Sequence, residues 1–148
     1  LLKEVADGAF HFYTNRESAK GSQLAACPFA ALDFHWKSLK RQVRVAGPVH
    51  LLPDALSDAY FATRPRNSQL SAWASFQSQP LDERGTFEGR LAEMDARFPG
   101  NVPRPPFWGG YGVQAERIEY WEERPGRQHH RQQFLRQGGV WTVRYLYP

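Results

Sequence analysis

The sequence predicts a mainly β protein, an antiparallel barrel or sandwich with a few peripheral helices. Strand-like runs, in which apolar and polar side chains alternate or β-branched and aromatic residues accumulate, recur from residue 9 to the last residues of the chain. The chain has neither an alternating strand–helix pattern nor a G-x-G-x-x-G fingerprint. Both features are typical of a parallel α/β sheet, so their absence favours the antiparallel classes.

Composition restricts the class of protein further. A chain of 148 residues with 41% hydrophobic and 14% aromatic residues is long and apolar enough to fold as one globular domain. The net charge of +4 favours anionic partners without choosing among nucleic acid, phosphorylated metabolites and an anionic cofactor. A single cysteine, Cys27, excludes an internal disulfide and favours a reducing, cytoplasmic location. No apolar run approaches the length of a membrane span, so we expect no membrane association.

The first half of the chain alternates strands with short helices. Ser18 is placed to cap a helix, and Pro28 ends it. We expect Gly47-Pro48 to mark a bend or bulge. Further on, Asn67 or Ser68 can cap a helical piece that carries Leu70 and Trp73. The predicted elements are strands over 9–15, Phe29–Trp36 and Arg41–Leu52, the last as one or two strands, and helices over Ala19–Ala26 and Pro53–Thr63.

In the second half, the apolar residues Phe87, Leu91, Met94 and Phe98 recur at helical spacing. They predict a helix over Asp82–Phe98 with this stripe in the core. After it come strand-like runs at Trp108–Tyr111 and Ile118–Glu122, and then two runs that flank Gly138-Gly139 as a hairpin.

The proline-rich connector Pro99–Pro106 is the one plausible internal boundary, and it divides one structural domain into segments 1–98 and 99–148. The chain begins with Leu1-Leu2-Lys3 and without methionine, in what reads as the middle of a strand. We therefore expect that an N-terminal portion precedes Leu1.

The stretch Tyr60–Ser78 carries two arginines, Arg64 and Arg66, among many hydroxyl and amide side chains. Guanidinium groups pair with the oxygens of a phosphate monoester, and hydroxyls fill its remaining acceptor sites. The stretch is therefore a candidate phosphate site. The alternative is a surface loop between helices with solvated arginines and Trp73 in the core.

Three other patterns leave alternatives open. Tyr13, Thr14 and Lys20 flank the start of the first helix, where free amides can receive a phosphate or where the helix is simply capped. Gln42 lies on an otherwise β-branched strand and can hydrogen-bond a flat heterocycle or face solvent. Strand alternation would place Arg127, His129 and Arg131 on one face, a compact cationic row that suits a small anion or a polarised ring.

Several classes of site lack support in the sequence. The histidines and the cysteine form no metal-ligand spacing, so no metal site is predicted, and no nucleophile motif such as G-x-S-x-G occurs. The arginine-rich segment Arg124–Arg136 is a candidate nucleic-acid patch, but its compact row is unlike an extended backbone track. We therefore expect no nucleic-acid partner.

Taken together and in order, the motifs resemble the pyridoxine/pyridoxamine 5′-phosphate oxidase family over nearly the whole chain. No single motif would suffice, and the specificity lies in the order of nine or ten of them. The motifs are LLK at Leu1–Lys3, FYTN and S-x-K-G within Phe12–Gly21, F-x-W at Phe34–Trp36, RQVR-x-G at Arg41–Gly47, YF-x-x-RP-x-x-SQ at Tyr60–Gln69, AW-x-S-x-QS at Ala72–Ser78, WGGY at Trp108–Tyr111, IEYW at Ile118–Trp121, R-x-H-x-R at Arg127–Arg131 and W…P at Trp141–Pro148.

The resemblance implies an FMN-binding split β-barrel that works as a homodimer with FMN at the subunit interface, so that segment 99–148 completes the barrel and the dimer contact. It also implies FMN-dependent oxidation of pyridoxamine or pyridoxine 5′-phosphate to pyridoxal 5′-phosphate, with O2 reduced to hydrogen peroxide. Implied cofactor contacts are Tyr13, Thr14, Lys20, Gln42, Gln77, Ser78, Trp121 and Arg131. Implied substrate contacts are Lys3, Tyr60, Arg64 and Ser68 for the phosphate, and Arg127 and His129 over the pyridine ring as the catalytic pair.

The chain departs from the family pattern in two places. Ala19 stands where family members usually carry an arginine that contacts the FMN phosphate, and Gln128 and His130 replace a leucine and an aspartate of the R-L-H-D-R motif. These departures keep two alternatives open: a related FMN oxidase of the phenazine-pathway type, and a non-catalytic protein that binds flavin or pyridoxal phosphate.

Overall fold

The computed structural model describes residues 1–148 and is mainly β, with eight strands and four α-helices. The mainly antiparallel class predicted from the sequence is confirmed. The strands are β1 (Glu4–Ala6), β2 (Ala9–Asn15), β3 (Phe29–Trp36), β4 (Arg41–Leu51), β5 (Trp108–Gln114), β6 (Arg117–Glu122), β7 (His130–Gln137) and β8 (Val140–Tyr145). The helices are α1 (Ala19–Ala26), α2 (Asp54–Ala62), α3 (Arg66–Ala74) and α4 (Arg84–Arg97), and short 3₁₀ turns occur at Lys37–Leu39 and Pro125–Arg127.

The strands are hydrogen-bonded in the order β1-β2-β5-β4-β6-β7-β8, and β3 pairs with β4 beside this path. The pairs β1–β2, β3–β4, β4–β6, β6–β7 and β7–β8 are antiparallel. No helix in residues 1–148 is both long enough and apolar enough to cross a membrane.

The chain divides into two compact units. The first, which we call the helical unit, comprises Leu1–Lys3, Phe12–Cys27 and Leu51–Tyr111. The second, the sheet unit, comprises Glu4–His11, Pro28–His50 and Gly112–Pro148.

The core of the helical unit is a cluster of Phe61, Leu70, Val102 and Trp108, each at most 6% exposed. Half-buried aromatic and aliphatic side chains pack around it, among them Tyr13, Tyr60, Trp73, Leu91, Met94 and Phe98. The predicted apolar stripe of α4 is therefore only partly core, because no residue of α4 is fully buried and Phe87 lies outside the cluster. Trp73 is likewise half-buried, and its indole N–H donates to the Pro103 carbonyl at 2.7 Å.

A side-chain cap marks the start of α1, whereas α3 begins after a proline. Helix α1 has the predicted bounds, and the Ser18 hydroxyl accepts a hydrogen bond from the Gly21 N–H at 3.2 Å. The predicted side-chain cap of α3 is wrong, because the helix begins after Pro65 and Asn67 and Ser68 lie inside it. Proline is favoured at a helix start because its fixed φ and missing N–H cost nothing there.

In the sheet unit, β4 is one continuous strand, and its ladder with β3 has no bulge at Gly47-Pro48, where the sequence predicts a bend or bulge. Its register with β3 runs without interruption from Arg41 to Pro48. Gly47 serves a different purpose: a Cβ at this position would collide with the backbone carbonyl of Gln114. Here glycine permits a close backbone approach.

The β7–β8 hairpin turns at Gly138-Gly139 as predicted, with φ of +56° and +85° at the two glycines. Positive φ at both central residues is typical of the type I′ turn, whose twist matches that of the flanking strands. Strand β8 exposes large apolar side chains to solvent, and three of them, Trp141, Val143 and Tyr145, lie on one face at 41–81% exposure.

We predict that Gly47→Ala destabilises the protein by about 1–3 kcal/mol, because the new methyl group forces backbone displacement in a packed region. The matched control is Gly89→Ala in α4, where an added Cβ meets no atom within 4 Å. This control should gain about 0.5–1 kcal/mol, since alanine is the better helix former. Urea unfolding midpoints measure both changes, and equal midpoints for the two variants would refute the prediction.

Candidate functional site

In the helical unit, three aromatic rings form a stack that we call the ring stack: Tyr13, Tyr60 and Trp108. The Tyr13 and Tyr60 ring centroids are 4.2 Å apart, and the Trp108 centroid lies 5.4 Å from Tyr13 and 6.2 Å from Tyr60. The three planes are nearly parallel, with interplanar angles of 7–16°. The stack joins β2, α2 and β5, and it brings a predicted cofactor contact and a predicted substrate contact side by side.

Two cations lie on the ring stack. The Arg64 guanidinium lies 4.8 Å from the Trp108 centroid and 5.3 Å from that of Phe61, and the Lys3 ammonium lies 5.5 Å from the Tyr60 centroid. Such contacts stabilise a cation through the negative face of the ring. Three of the four residues predicted to hold the substrate phosphate therefore gather in one place. The fourth, Ser68, is half-buried in the first turn of α3.

Arg64 has no anionic partner. Its Nη1 is buried without a hydrogen bond, and no carboxylate forms an ion pair with the guanidinium. Burial lowers the pKa of Arg64, and the nearby Tyr60 hydroxyl offsets this only in part. A buried polar nitrogen without a partner is costly, which makes this atom the strongest sign of an anion site in the helical unit.

The predicted cofactor residues of the helical unit lie in three settings. Thr14 is buried in β2, and Lys20 is exposed on the first turn of α1, with its ammonium 5.8 Å from the Phe12 ring centroid. Gln77 and Ser78 are exposed in the turn after α3. Ser78 has φ of +75°, a conformation that costs a non-glycine residue energy and that concentrates at functional sites.

The sheet unit contains an open cavity of about 730 Å³. Four predicted site residues line it, Gln42, Trp121, His129 and Arg131, together with Trp36 and Tyr120. Register explains the grouping, because Gln42 faces Trp121 across β4–β6 and Trp121 faces Arg131 across β6–β7. A cavity of this size with aromatic walls, an amide and a guanidinium suits a flat heterocyclic ligand.

Glu119 positions Arg131. Its buried carboxylate accepts hydrogen bonds from Arg131 Nε at 2.8 Å and from Arg44 at 2.6 Å, and Arg131 Nη1 also donates to the Tyr147 carbonyl at 3.0 Å. Burial alone would raise the pKa of Glu119, but the hydrogen bonds from the two arginines outweigh it and lower that pKa. The guanidinium is thus held by two acceptors before any ligand is present.

The prediction that strand alternation aligns Arg127, His129 and Arg131 is wrong in its premise. Only Arg131 lies on a strand, because β7 begins at His130 and Arg127 ends a 3₁₀ turn. His129 nevertheless lines the cavity, with its ring 4.7 Å from Trp121 and its Nδ1 accepting a hydrogen bond from the Arg124 N–H at 3.3 Å. Arg127 is exposed, has φ of +60° and is not among the residues that line the cavity.

Comparison with known proteins identifies the family. The profile described as "Pyridoxamine 5'-phosphate oxidase" matches residues 2–98, and the one described as "Pyridoxine 5'-phosphate oxidase C-terminal dimerisation region" matches residues 108–148. The pyridoxine/pyridoxamine 5′-phosphate oxidase of Sphingopyxis alaskensis is 57% identical, over 100% of this chain and 69% of the relative. That of Anaeromyxobacter dehalogenans is 55% identical, over 100% of this chain and 75% of the relative.

The chain belongs to the pyridoxine/pyridoxamine 5′-phosphate oxidase family.

Solved structures agree on the fold of this oxidase family. PhzG from Burkholderia lata, solved in complex with tetrahydrophenazine-1-carboxylic acid, matches with a TM-score of 0.92 and 26% identity over 99% of this chain and 72% of its own. A pyridoxamine 5′-phosphate oxidase-related, FMN-binding protein from Nostoc punctiforme matches with a TM-score of 0.76 at 17% identity, over 100% of this chain and 78% of its own. The split β-barrel fold implied by the motifs is confirmed.

Two residues, one in each unit, have several side-chain partners that the motifs do not indicate. Glu119 lies within the IEYW motif, and a carboxylate on a strand just before the arginine-rich segment is the signal that could have indicated a partner for Arg131. Arg104 lies within the proline-rich connector, yet its side chain is only 11% exposed and binds three partners. Nothing in the local sequence indicates that burial.

We predict that Glu119→Gln lowers the free energy of unfolding at pH 7 by about 1.5–3 kcal/mol, the usual value of hydrogen bonds to charged groups. The pKa of Glu119 is lower in the folded state than in the unfolded state. Its contribution to the free energy of unfolding is therefore fully present above the unfolded-state pKa of about 4.3 and is lost as the pH falls through the folded-state pKa. The difference between wild type and variant should therefore shrink in acid.

The matched control is Glu123→Gln, whose exposed carboxylate pairs only with Lys40 at 3.2 Å. Urea unfolding at a series of pH values measures both variants. A Glu119→Gln effect that is no larger than the control, or that does not change with pH, would contradict the assignment.

Proposed function

We propose that this protein oxidises pyridoxamine or pyridoxine 5′-phosphate to pyridoxal 5′-phosphate with FMN as its cofactor. For the amine, substrate, O2 and water give aldehyde, ammonia and hydrogen peroxide; for the alcohol, substrate and O2 give aldehyde and hydrogen peroxide. The observation that carries the proposal is the unpaired Arg64 on the ring stack, which needs an anion such as the 5′-phosphate that both substrates carry. Membership of the oxidase family supports the same substrates.

The chain's own residues fit FMN. In the sheet unit, Gln42 and Trp121 offer an amide and an aromatic face to a flat ring system, and Arg131 offers a guanidinium already oriented by Glu119. The proposed contacts in the helical unit are Tyr13, Thr14, Lys20, Gln77 and Ser78. Because Ala19 stands where family members usually carry an arginine, Lys20 is the proposed cation for the FMN phosphate. When bound, FMN supplies the two-electron chemistry, taking electrons from C4′ of the substrate and passing them to O2.

The protein's task is to bind and orient the substrate. We propose that Lys3, Tyr60, Arg64 and Ser68 hold the phosphate, so that the reacting carbon is fixed at the opposite end of the ring. The Arg64 guanidinium is already partly desolvated and loses little rotamer freedom on binding, because it is stacked on Trp108.

Arg127 and His129 are the proposed contacts to the pyridine ring. Because His129 Nδ1 accepts a hydrogen bond from the Arg124 N–H, a neutral ring carries its proton on Nε2, where it can donate to the substrate. Arg127 adopts a left-handed conformation that only a few non-glycine residues show here, and such strain is typical of functional positions.

We propose that the protein is a homodimer. The support is the match of residues 108–148 to a dimerisation region, together with the solvent-exposed apolar side chains of β8 within that segment. Such a strip is more stable when a second copy covers it.

The cytoplasm is the proposed location. Cys27 is the sole cysteine and is exposed, and an exposed free thiol persists in a reducing compartment. Fractionation of cells that express the protein would test this.

The decisive experiment mixes the purified protein with FMN and pyridoxamine 5′-phosphate and follows pyridoxal 5′-phosphate and hydrogen peroxide. Arg64→Gln should raise KM for this substrate about 10- to 100-fold, the loss expected for a charge-assisted contact. The matched control is Arg66→Gln two residues away, since Arg66 is exposed and binds Asp95 and the Gly100 carbonyl instead. Arg66→Gln should leave KM unchanged.

Other outcomes separate the alternatives. No product with flavin bound, and no bleaching of the flavin when substrate is added without O2, would indicate a binding protein without activity. Turnover of a non-phosphorylated substrate that is insensitive to Arg64→Gln would indicate a related FMN oxidase of the phenazine-pathway type.

We predict that Arg127→Ala and His129→Ala each lower kcat/KM about 100-fold or more while FMN remains bound, because their proposed contacts are to the substrate and not to the cofactor. Visible absorbance of the purified variants reports bound flavin, and steady-state kinetics report turnover. Arg136→Ala, in β7 but outside the cavity, serves as the control. Wild-type turnover in either variant would refute the assigned role.

A further inference from the structure

We propose that Arg104 is a positioning residue that sets the distance between helix α2 and Trp108, and through it the geometry of the substrate-phosphate site. The inference rests on the proposed function, since it assigns a role toward the same phosphate. Arg104 contacts the backbone of Trp108 and two side chains of α2, but no ring of the ring stack and neither Lys3 nor Arg64.

Arg104 uses three nitrogens on three partners. Its Nε donates to Asp58 at 2.6 Å, its Nη2 donates to Asp54 at 2.9 Å, and its Nη1 donates to the Trp108 carbonyl at 2.6 Å. The planar guanidinium fixes these three directions relative to one another, which a lysine ammonium on a flexible chain cannot do. The three contacts form one rigid clamp.

The clamp joins two elements of the site. Asp54 and Asp58 are one helical turn apart on α2, the helix that carries Tyr60 and ends two residues before Arg64. The Trp108 carbonyl belongs to the first residue of β5, whose side chain is the ring beneath Arg64. Arg104 therefore fixes the helix and the ring on which the phosphate-binding cation depends.

The contact is buried on the arginine side, and its charges balance when Arg16 is counted with Arg104 against the two aspartates. The Arg104 side chain is 11% exposed, whereas those of Asp54 and Asp58 are 70% and 60% exposed. Burial alone would lower the pKa of Arg104, but hydrogen bonds and the charges of the two aspartates raise it, so the guanidinium stays charged. Arg16 contributes a second cation, 3.7 Å from Asp54.

Other contacts also join α2 and the segment before it to β5. Loss of the clamp should therefore shift α2 without unfolding the helical unit. The Gly110 N–H donates to the buried Ser57 hydroxyl at 3.0 Å, and the Leu52 N–H donates to the Gly110 carbonyl at 3.0 Å. Phe61 of α2 packs edge-on against Trp108, with centroids 5.1 Å apart. These contacts hold α2 near β5, and Arg104 sets its exact position.

The test compares three variants of the clamp with one control. Arg104→Gln removes it, Arg104→Lys keeps the charge but not the fixed geometry, and Arg104→Gln with Asp58→Asn removes it at unchanged net charge. Arg66→Gln is the control, because Arg66 also clamps several partners in the helical unit, Asp95 and two carbonyls of the segment after α4, with no contact to the ring stack. Purified proteins are compared by kinetics, by thermal unfolding and by pyridoxal 5′-phosphate binding.

We expect all three clamp variants to raise KM for pyridoxamine 5′-phosphate, about tenfold for the two glutamine variants and about threefold for lysine, with kcat changed less than about threefold. The dissociation constant for pyridoxal 5′-phosphate, followed through tryptophan fluorescence without FMN, should rise in parallel. KM for unphosphorylated pyridoxamine should not change. Arg66→Gln should lower Tm without altering any of these constants.

Each contrary result is informative. A KM rise confined to Arg104→Gln and absent from the charge-balanced double variant and from Arg104→Lys would overturn positioning in favour of simple electrostatics. Equal rises for phosphorylated and unphosphorylated substrates, or a matching rise in Arg66→Gln, would overturn it in favour of general destabilisation. If Arg104→Gln does not fold, Arg104→Lys decides alone. Absence of turnover in the wild type would instead count against the proposed function, and the binding measurement would still test the clamp.

Discussion

The stacking of Arg64 on Trp108 is the interaction on which the helical unit's site depends. It keeps a guanidinium, 4.8 Å from the ring, in a place where no carboxylate neutralises it. A cation in this state is costly without a ligand, and the aromatic face offsets part of that cost. Trp108 is in turn a core residue at 6% exposure, so the site and the hydrophobic core share one side chain. Stability and anion binding cannot be changed independently there.

Much of the fold could be predicted from local sequence because local rules determined it. Helix α1 has the predicted ends, since Ser18 satisfies a free amide at its start. The hairpin at Gly138-Gly139 follows from a turn that few other residues can adopt. The family motifs single out Gln42, Trp121 and Arg131 before their positions in space are known. Strand register then brings these three residues together in the sheet-unit cavity.

What could not be predicted depends on contacts between residues distant in sequence. The 3₁₀ turn at Pro125–Arg127 precedes β7, which begins only at His130. Strand alternation therefore does not apply to Arg127 and could not predict its position relative to Arg131. The residue types of Gly47-Pro48 predict a bend or bulge, yet the close approach of the Gln114 backbone is what requires a glycine there. Arg104 lies in the proline-rich connector, and only the folded chain shows that α2 supplies its two carboxylates.

The exposed apolar face of β8 has a consequence for how activity depends on the amount of protein. Trp141, Val143 and Tyr145 alternate onto one face of the strand that follows β7 and are all exposed, and β7 carries Arg131 of the cavity. If a second copy covers this face, pairing obeys mass action and stabilises the strands that hold the cavity walls. Specific activity per chain would then fall on dilution toward the dissociation constant of the pair. At low expression, the active fraction of the protein would then depend on its own concentration as well as on the concentration of the cofactor.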